Sequence, residues 1–398
     1  MDSLSKKQQQ LALIALAVTA FAIGTTEFIS VGLLPMIASD LQTTVQTAGL
    51  TVSIYAIGVV IGAPVLTLLF SSIPRKRLLL MVMMVFIVGN SIAMVSTSMV
   101  LLLVSRLVSA LAHGVFMSIG STIAASLVPK EKRASAISIM FTGLTVATIT
   151  GVPFGTFIGQ QVGWRFAFGF IVFIGVIAVI ANWFLLPNKI ERGPKPLLSE
   201  QIKLVKNKRI LLILVITALG YGGTFVVFTY LSPLLQDVTG YSSNLVTVLL
   251  VLYGIMVAIG NIIGGKLSNQ NPIRSLFFMF FVQAIVLIIL YFTIPFKIAG
   301  LFTVLLMGLF AFMNVPGLQT SVVILAERYV PSAVDVASAL NIAAFNLGIA
   351  IGSYLGGIVT NSIGLIHTSW VGGIMVLIAA GLTVVSIKQE YKNKKERL

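Results

Sequence analysis

Asn188–Arg209 reads NKIERGPKPLLSEQIKLVKNKR, the longest polar run in the chain. Seven of its 22 residues are Lys or Arg. On each side of it the sequence falls into six apolar runs. A run of about 20 apolar residues rises about 1.5 Å per residue and crosses a hydrocarbon core about 30 Å thick. The spans are expected at 11–37, 46–70, 77–97, 100–127, 135–160, 165–187, 210–236, 244–266, 274–294, 298–326, 334–361 and 368–388. Turn and charge signals fill the breaks: Pro74 with Arg75, Pro129 with Lys130, Gly163, Asn271 with Pro272, and Pro331. The expected fold is an all-α membrane protein of twelve transmembrane helices in two six-helix pseudo-repeats. Its domains are residues 1–187, a linker at 188–209, and 210–398 with a basic tail. From Ser199 on, the linker reads as an amphipathic helix with Ile202, Leu204 and Val205 facing lipid.

Composition agrees. Of 398 residues, 58% are apolar and 9% charged, with a mean hydropathy of +1.05, against about 25% charged in a soluble domain. A water-soluble enzyme and a disordered scaffold are excluded. The net charge of +15 sits in short runs between spans, a pattern that suits lipid headgroups rather than nucleic acid. There is no Cys and there are two His, so no thiol chemistry, metal site or cofactor is expected. No G-x-x-x-x-G-K-[ST] run offers a nucleotide site. A membrane enzyme would need a nucleophile, a base and an electrophile gathered at one interface, and no such group is seen. No large soluble domain suggests a transport-dead sensor or scaffold, and no obligate protein partner is inferred. The start, MDSLSKKQQQ, precedes an apolar run too long for a signal peptide and reads as a retained first span.

Lys and Arg set orientation. Twenty-three of the 26 lie at the N-terminus, the C-terminus and the loops on that same side. The opposite loops hold Arg165 and Lys297, and Arg106 lies within a span. Both termini are expected in the cytoplasm, with Trp164 and Trp370 beginning spans at the outer interface.

The halves repeat. At an offset of 198, Thr26 meets Thr224, Leu33 meets Leu231, Pro35 meets Pro233, Tyr55 meets Tyr253 and Gly62 meets Gly260. At 202, Pro129 meets Pro331 and Gly155 meets Gly357. Paired repeats around a central site suit alternating access. Gly143, Ala147, Gly151, Gly155 and Gly159 recur on span 5, and Ala344, Gly348, Gly352 and Gly356 on span 11. Small residues at this spacing let helices approach closely in lipid, whether for static packing or for sliding.

Three ionisable groups sit well inside spans: Glu27, Arg106 and His113. A charge at mid-bilayer costs about 2.5–3.5 kcal/mol or more, so such groups face water or a partner. Counted from the outer ends of their spans, Arg106 lies roughly 9 Å deep, Glu27 roughly 15 Å and His113 roughly 20 Å. Arg106 and His113, seven apart, share a helix face. Low dielectric favours the neutral form of a carboxyl, so Glu27 reads as a proton-loading group. Arg106, which keeps its proton, would favour ionised Glu27 or pair with an anionic substrate. Tyr55, Tyr221, Tyr230, Tyr253, Asn261, Asn314, Gln319, Asn341 and Asn346 line a cavity or bind helix to helix.

The span count, repeat and loop charges resemble the major facilitator superfamily. The loop TLLFSSIPRKR, Thr67 to Arg77, is similar to that family's G-x-L-A-D-R-x-G-R-K-R. It keeps Arg75, Lys76 and Arg77, with Ser71 in place of the acid and Pro74 in place of the second Gly. The matching loop GKLSN keeps Gly265 and lacks the acid. Arg106 to Gly114 resembles the conserved-arginine motif linked there to proton coupling. GLTVATITGVPFG, with Gly143, Gly151, Pro153 and Gly155, looks like the exporters' antiporter motif. GTTEFISVGLLPMIASDL from Gly24, GWR from Gly163 and NIAAFNLG from Asn341 resemble the arabinose- and sugar-efflux branch of the twelve-span drug:proton antiporters.

The resemblance implies export of a small organic molecule — drug, sugar or related metabolite — in exchange for protons, from a bacterial plasma membrane. The halves would rock about a cavity between spans 1, 4, 7 and 10. Glu27, Arg106 and His113 are the candidate proton-coupling residues. Tyr55, Thr224, Phe225, Phe228, Tyr230, Asn314 and Asn341 are the candidate substrate contacts. Phe225, the repeat mate of Glu27, places the proton machinery in the first half. The same carboxyl would serve an uptake symporter, and a facilitator would need none. The expected partners are a small-molecule substrate, protons and the lipid bilayer.

Overall fold

The computed structural model describes residues 5–43, 45–188, 190, 202–204, 206–231 and 234–395. Among them, twelve helical segments are long and apolar enough to cross a membrane. Each falls on an expected span. Span 1, Lys6–Asp40, starts earlier than its apolar run because a capping box extends it: Ser5 Oγ accepts from the Gln8 amide, and Gln8 Oε1 from the Ser5 amide. Spans 2, 3 and 4 are Val45–Leu69, Arg75–Met94 and Met99–Ser126.

Three spans are not uniform helices. Span 5 runs as Arg133–Val146, a π turn at Ala147–Gly151, and Val152–Val162. Span 7 ends as α-helix at Phe228, and a π turn follows at Leu234–Val238. Span 10 breaks between Lys297–Ala311 and Val315–Tyr329, with Pro316 opening the second piece. The remaining spans are Trp164–Leu185, Ser243–Ser268, Pro272–Thr293, Val334–Ser362 and Thr368–Lys395. Of the linker, residues 191–201, Val205 and Lys189 lie outside the described residues. Leu204 is fully buried rather than facing lipid, while Ile202 is exposed.

The chain divides into two compact units: Met1–Glu200 with Pro331–Ala343, and Gln201–Val330 with Ala344–Leu398. The start of span 11 thus belongs to unit 1.

In unit 1, spans 2 and 3 pack on span 4, and spans 3 and 5 on spans 6 and 1. At the end away from the basic loops, Arg165 donates to Asp40 Oδ2 (2.7 Å) and to the Ser96 carbonyl (2.7 Å), while Trp164 Nε1 also reaches Asp40 (3.1 Å). Gly163 precedes this clamp at φ 105, a conformation that a Cβ would strain.

At the basic end the three cations of the 75–77 run separate. Arg75 forks onto Asp335 of span 11, Nη2 to Oδ1 at 2.8 Å and Nε to Oδ2 at 3.2 Å. Lys76 Nζ caps span 6, donating to the Trp183 carbonyl (2.7 Å), the Leu186 carbonyl (2.7 Å) and Asn188 Oδ1 (2.8 Å). Arg77 is exposed. Ser118 of span 4 ties the same start of span 11: its Oγ donates to the Asp335 carbonyl, and its carbonyl accepts from Ser338 Oγ.

In unit 2, span 12 packs on spans 7 and 9, and span 10 on spans 8 and 9. The repeat is visible at the level of single contacts. A Cβ at Gly62 would press on Leu111 of span 4. Its mate Gly260 lies so close to span 10 that a Cβ would overlap the carbonyl of Leu309, the residue 198 positions after Leu111. On span 5, a Cβ at Gly143 would strike the Ala17 carbonyl, at Gly151 Thr25, and at Gly155 Ile29, all of span 1. Pro153 follows the π turn half-buried, and Gly265 is buried.

These contacts generate a test. Gly260→Ala and Gly143→Ala place a methyl against a backbone oxygen, which cannot rotate away. Overpacking of this kind costs about 1–3 kcal/mol. We expect both variants to unfold at lower temperature in detergent, and Gly381→Ala, whose Cβ meets nothing within 4 Å, to match the parent.

Candidate transport site

Span 4 brings Arg106 and His113 to one face, and spans 1 and 2 supply what they touch. Arg106 is 1% exposed. Its Nη1 donates to the Thr26 carbonyl (2.8 Å), Nη2 to the Glu27 carbonyl (3.3 Å) and Nε to the Thr51 carbonyl (3.2 Å). A helical carbonyl has a second lone pair free for such a donor. The guanidinium also stacks over Tyr55, 4.1 Å from the ring centroid, a contact worth about 2 kcal/mol when desolvated. Tyr55 in turn meets His113, with its hydroxyl 3.1 Å from Nδ1. Tyr55 therefore joins the two span-4 groups.

The Glu27 side chain stands differently. Arg106 reaches its backbone rather than its carboxylate. Among the described residues the carboxylate makes no hydrogen bond or ion pair, and Glu27 keeps 9% of its surface open. A carboxylate beside a fixed cation, yet not neutralised by contact, suits gain and loss of a proton. Beside it, Thr26 Oγ1 donates to Asn90 Oδ1 of span 3 (3.1 Å).

In unit 2 the pattern recurs with different chemistry. Thr224, the mate of Thr26, accepts from Gln283 Nε2 of span 9, and Asn314 Nδ2 donates to Gln283 Oε1 (3.2 Å). Where unit 1 has Glu27, unit 2 has Phe225, within an aromatic group. Phe225 meets Tyr221 (5.0 Å) and Phe228 (5.4 Å), and Phe228 stacks on Tyr253 (5.3 Å, 18°). Tyr221 also contacts Phe312 and Phe345 edge-on. The buried Tyr253 hydroxyl has no partner among the described residues.

Two further candidates remain. Tyr230 lies past the helical end of span 7 and donates to the Ser353 carbonyl of span 11 (3.1 Å). Asn341 is fully buried in the part of span 11 that belongs to unit 1. Sequence reasoning missed Asn90, Gln283 and Asp335. The first two carried a usable signal, an amide inside an apolar run. Asp335 lies one residue inside the expected start of span 11 and carried no signal that set it apart.

Twelve spans in two repeated units, each with its own buried polar cluster, are the plan of a membrane transporter. Comparison with known proteins places it. The family model described as Major Facilitator Superfamily matches residues 16–329, and the chain belongs to that superfamily. It is 67% identical over 385 residues to the MFS-type transporter YtbD of Bacillus subtilis (strain 168), covering 97% of each chain. It is 30% identical over 375 residues to a probable sugar efflux transporter of Helicobacter acinonychis (strain Sheeba), covering 94% of each. Among solved structures, the E. coli fucose:proton symporter FucP superposes with a TM-score of 0.77 at 14% identity, covering 95% of this chain and 99% of that one. That likeness establishes the fold.

The Arg106 geometry is open to test. A lysine donates from one point and reaches fewer of the three carbonyls. Each charged hydrogen bond lost costs about 1.5–3 kcal/mol. We expect Arg106→Lys to lower the unfolding temperature more than Tyr55→Phe, which keeps the ring beneath the guanidinium and loses only the bond to His113.

Proposed function

We propose that this transporter exports a small organic solute, a sugar, drug or related metabolite, in exchange for protons. The Glu27 carboxyl carries the reading. It is the acidic group within the first repeat's apolar spans, it is left unneutralised, and it lies beside an arginine already committed to backbone oxygens. Protonation of Glu27 then changes the charge of the site without moving Arg106. The aromatic group around Phe225 and Phe228, with the unpartnered Tyr253 hydroxyl, offers stacking and one hydrogen bond to a bound ring. The sugar efflux relative supports export rather than uptake. The Lys and Arg distribution supports cytoplasmic termini in a bacterial plasma membrane.

In this cycle, substrate binds from inside as Glu27 gives up its proton. The six-span halves rock, substrate leaves outside, and a proton returning to Glu27 resets the carrier. Proteoliposomes with an imposed pH gradient test it, using a panel of sugars and amphipathic drugs. A substrate should move against proton flow, and Glu27→Gln should abolish the dependence on the gradient. Movement with the proton flow would establish an uptake symporter, and gradient-independent movement in both proteins a facilitator.

A further inference from the structure

At the basic end of unit 2, a cavity of about 220 Å³ opens between the starts of spans 7 and 9 and the ends of spans 10 and 12. A water occupies about 30 Å³ in the bulk liquid, so the cavity holds a small polyatomic group. It lies away from the buried cluster around Thr224 and Phe225. Its walls carry Arg209, Arg328 and Glu390, together with Ser386, Ile273 and Ile324.

The charges are not spent on each other. Arg209 uses one Nη2 bond on the Gln389 carbonyl and keeps its other donors. Arg328 and Glu390 make no hydrogen bond or ion pair among the described residues. Ile273 opens span 9, and its amide is the donor of that turn left over. Pro272 has no N–H, the Arg274 amide is capped by Asn271 Oδ1 (3.1 Å), and the Ser275 amide reaches the Asn271 carbonyl (3.1 Å). An orphan amide at the start of a 22-residue helix adds positive potential to that of the two arginines. Glu390 adds one negative charge to the same space. Ile324 is 40% exposed and gives the cavity an apolar lip.

We propose that this cavity binds a phosphate joined to a primary ammonium, the phosphoethanolamine group. Arg209, Arg328 and the start of span 9 take the phosphate, and Glu390 accepts N–H bonds from the ammonium. A trimethylammonium has no N–H to give, so a choline headgroup lacks the second contact. The group reaches the site either as the head of phosphatidylethanolamine or as a soluble phosphoethanolamine. The transport reading does not enter this inference, and its test uses no transported substrate.

Native mass spectrometry of the purified full chain in detergent tests it. Three ligands are added separately: phosphatidylethanolamine, phosphatidylcholine and soluble O-phosphoethanolamine. Phosphatidylethanolamine should be retained about tenfold over phosphatidylcholine, the ratio expected from one charged hydrogen-bonded contact. Arg328→Gln should lower that retention about tenfold. Glu390→Gln should bring the two lipids level. Lys388→Gln, an exposed cation on the same helix outside the cavity, should change nothing. Retention of the soluble compound in preference to the lipid, lost in the same two variants, would identify a free metabolite as occupant of the same site. Equal retention of both lipids by the parent, with no retention of the soluble compound, overturns the proposal. So does parental retention of phosphatidylethanolamine by Arg328→Gln and Glu390→Gln.

Discussion

A guanidinium held in hydrocarbon must find acceptors, and in unit 1 it finds them on other helices' backbones. Arg106 draws the Thr26 and Glu27 carbonyls of span 1 and the Thr51 carbonyl of span 2 toward span 4. Removing a charge from water costs several kcal/mol, so an arrangement that leaves those donors empty is strongly disfavoured. The three spans are thereby held at one level. The ring of Tyr55 fills the space under the cation, and its hydroxyl fixes His113. Because the cation is satisfied by neutral carbonyls, its positive field is retained. Glu27 sits in that field without being locked by it.

The two units answer the same constraint with different residues. Each places a threonine at the same repeat position and satisfies it with an amide two spans further on, Asn90 in one and Gln283 in the other. The next residue differs, Glu27 against Phe225. One duplication thus gives one bundle an ionisable group and the other an aromatic surface. The close approaches of Gly62 and Gly260 to span-4 and span-10 partners show that the packing frame was kept while the sites diverged.

Much of this was legible in the sequence because lipid leaves few choices. Hydrocarbon thickness fixed span length, and the cost of buried charge singled out Glu27, Arg106 and His113. What the sequence could not show was who meets whom. Arg106 and its acceptors are separated by 55 to 80 positions, and residue type predicts the need for a partner, not the partner. The sequence marked Arg106 as a cation acting on Glu27 or on an anionic substrate, and its three carbonyl acceptors came only from the structure. With Ser71 in place of the acid, the loop between spans 2 and 3 holds cations whose ion-pair partner the sequence did not name. The pair exists with its acid on span 11, at Asp335. Leu204 was misplaced because a short amphipathic pattern has the same period whether its apolar face meets lipid or protein.

The π turn at Ala147–Gly151 has a geometric result for span 5. In an unbroken α-helix, Gly155 would point about 120° away from Gly143, at about 100° per residue. A single-turn widening absorbs one residue and cuts that difference to about 20°. This explains how both glycines, with Gly151, come to face span 1. The segment carries a surplus residue that keeps its two ends in phase. A chain shortened by one amino acid there would close into ordinary helix with the glycine line intact, so alignment and the widened turn are separable by length alone.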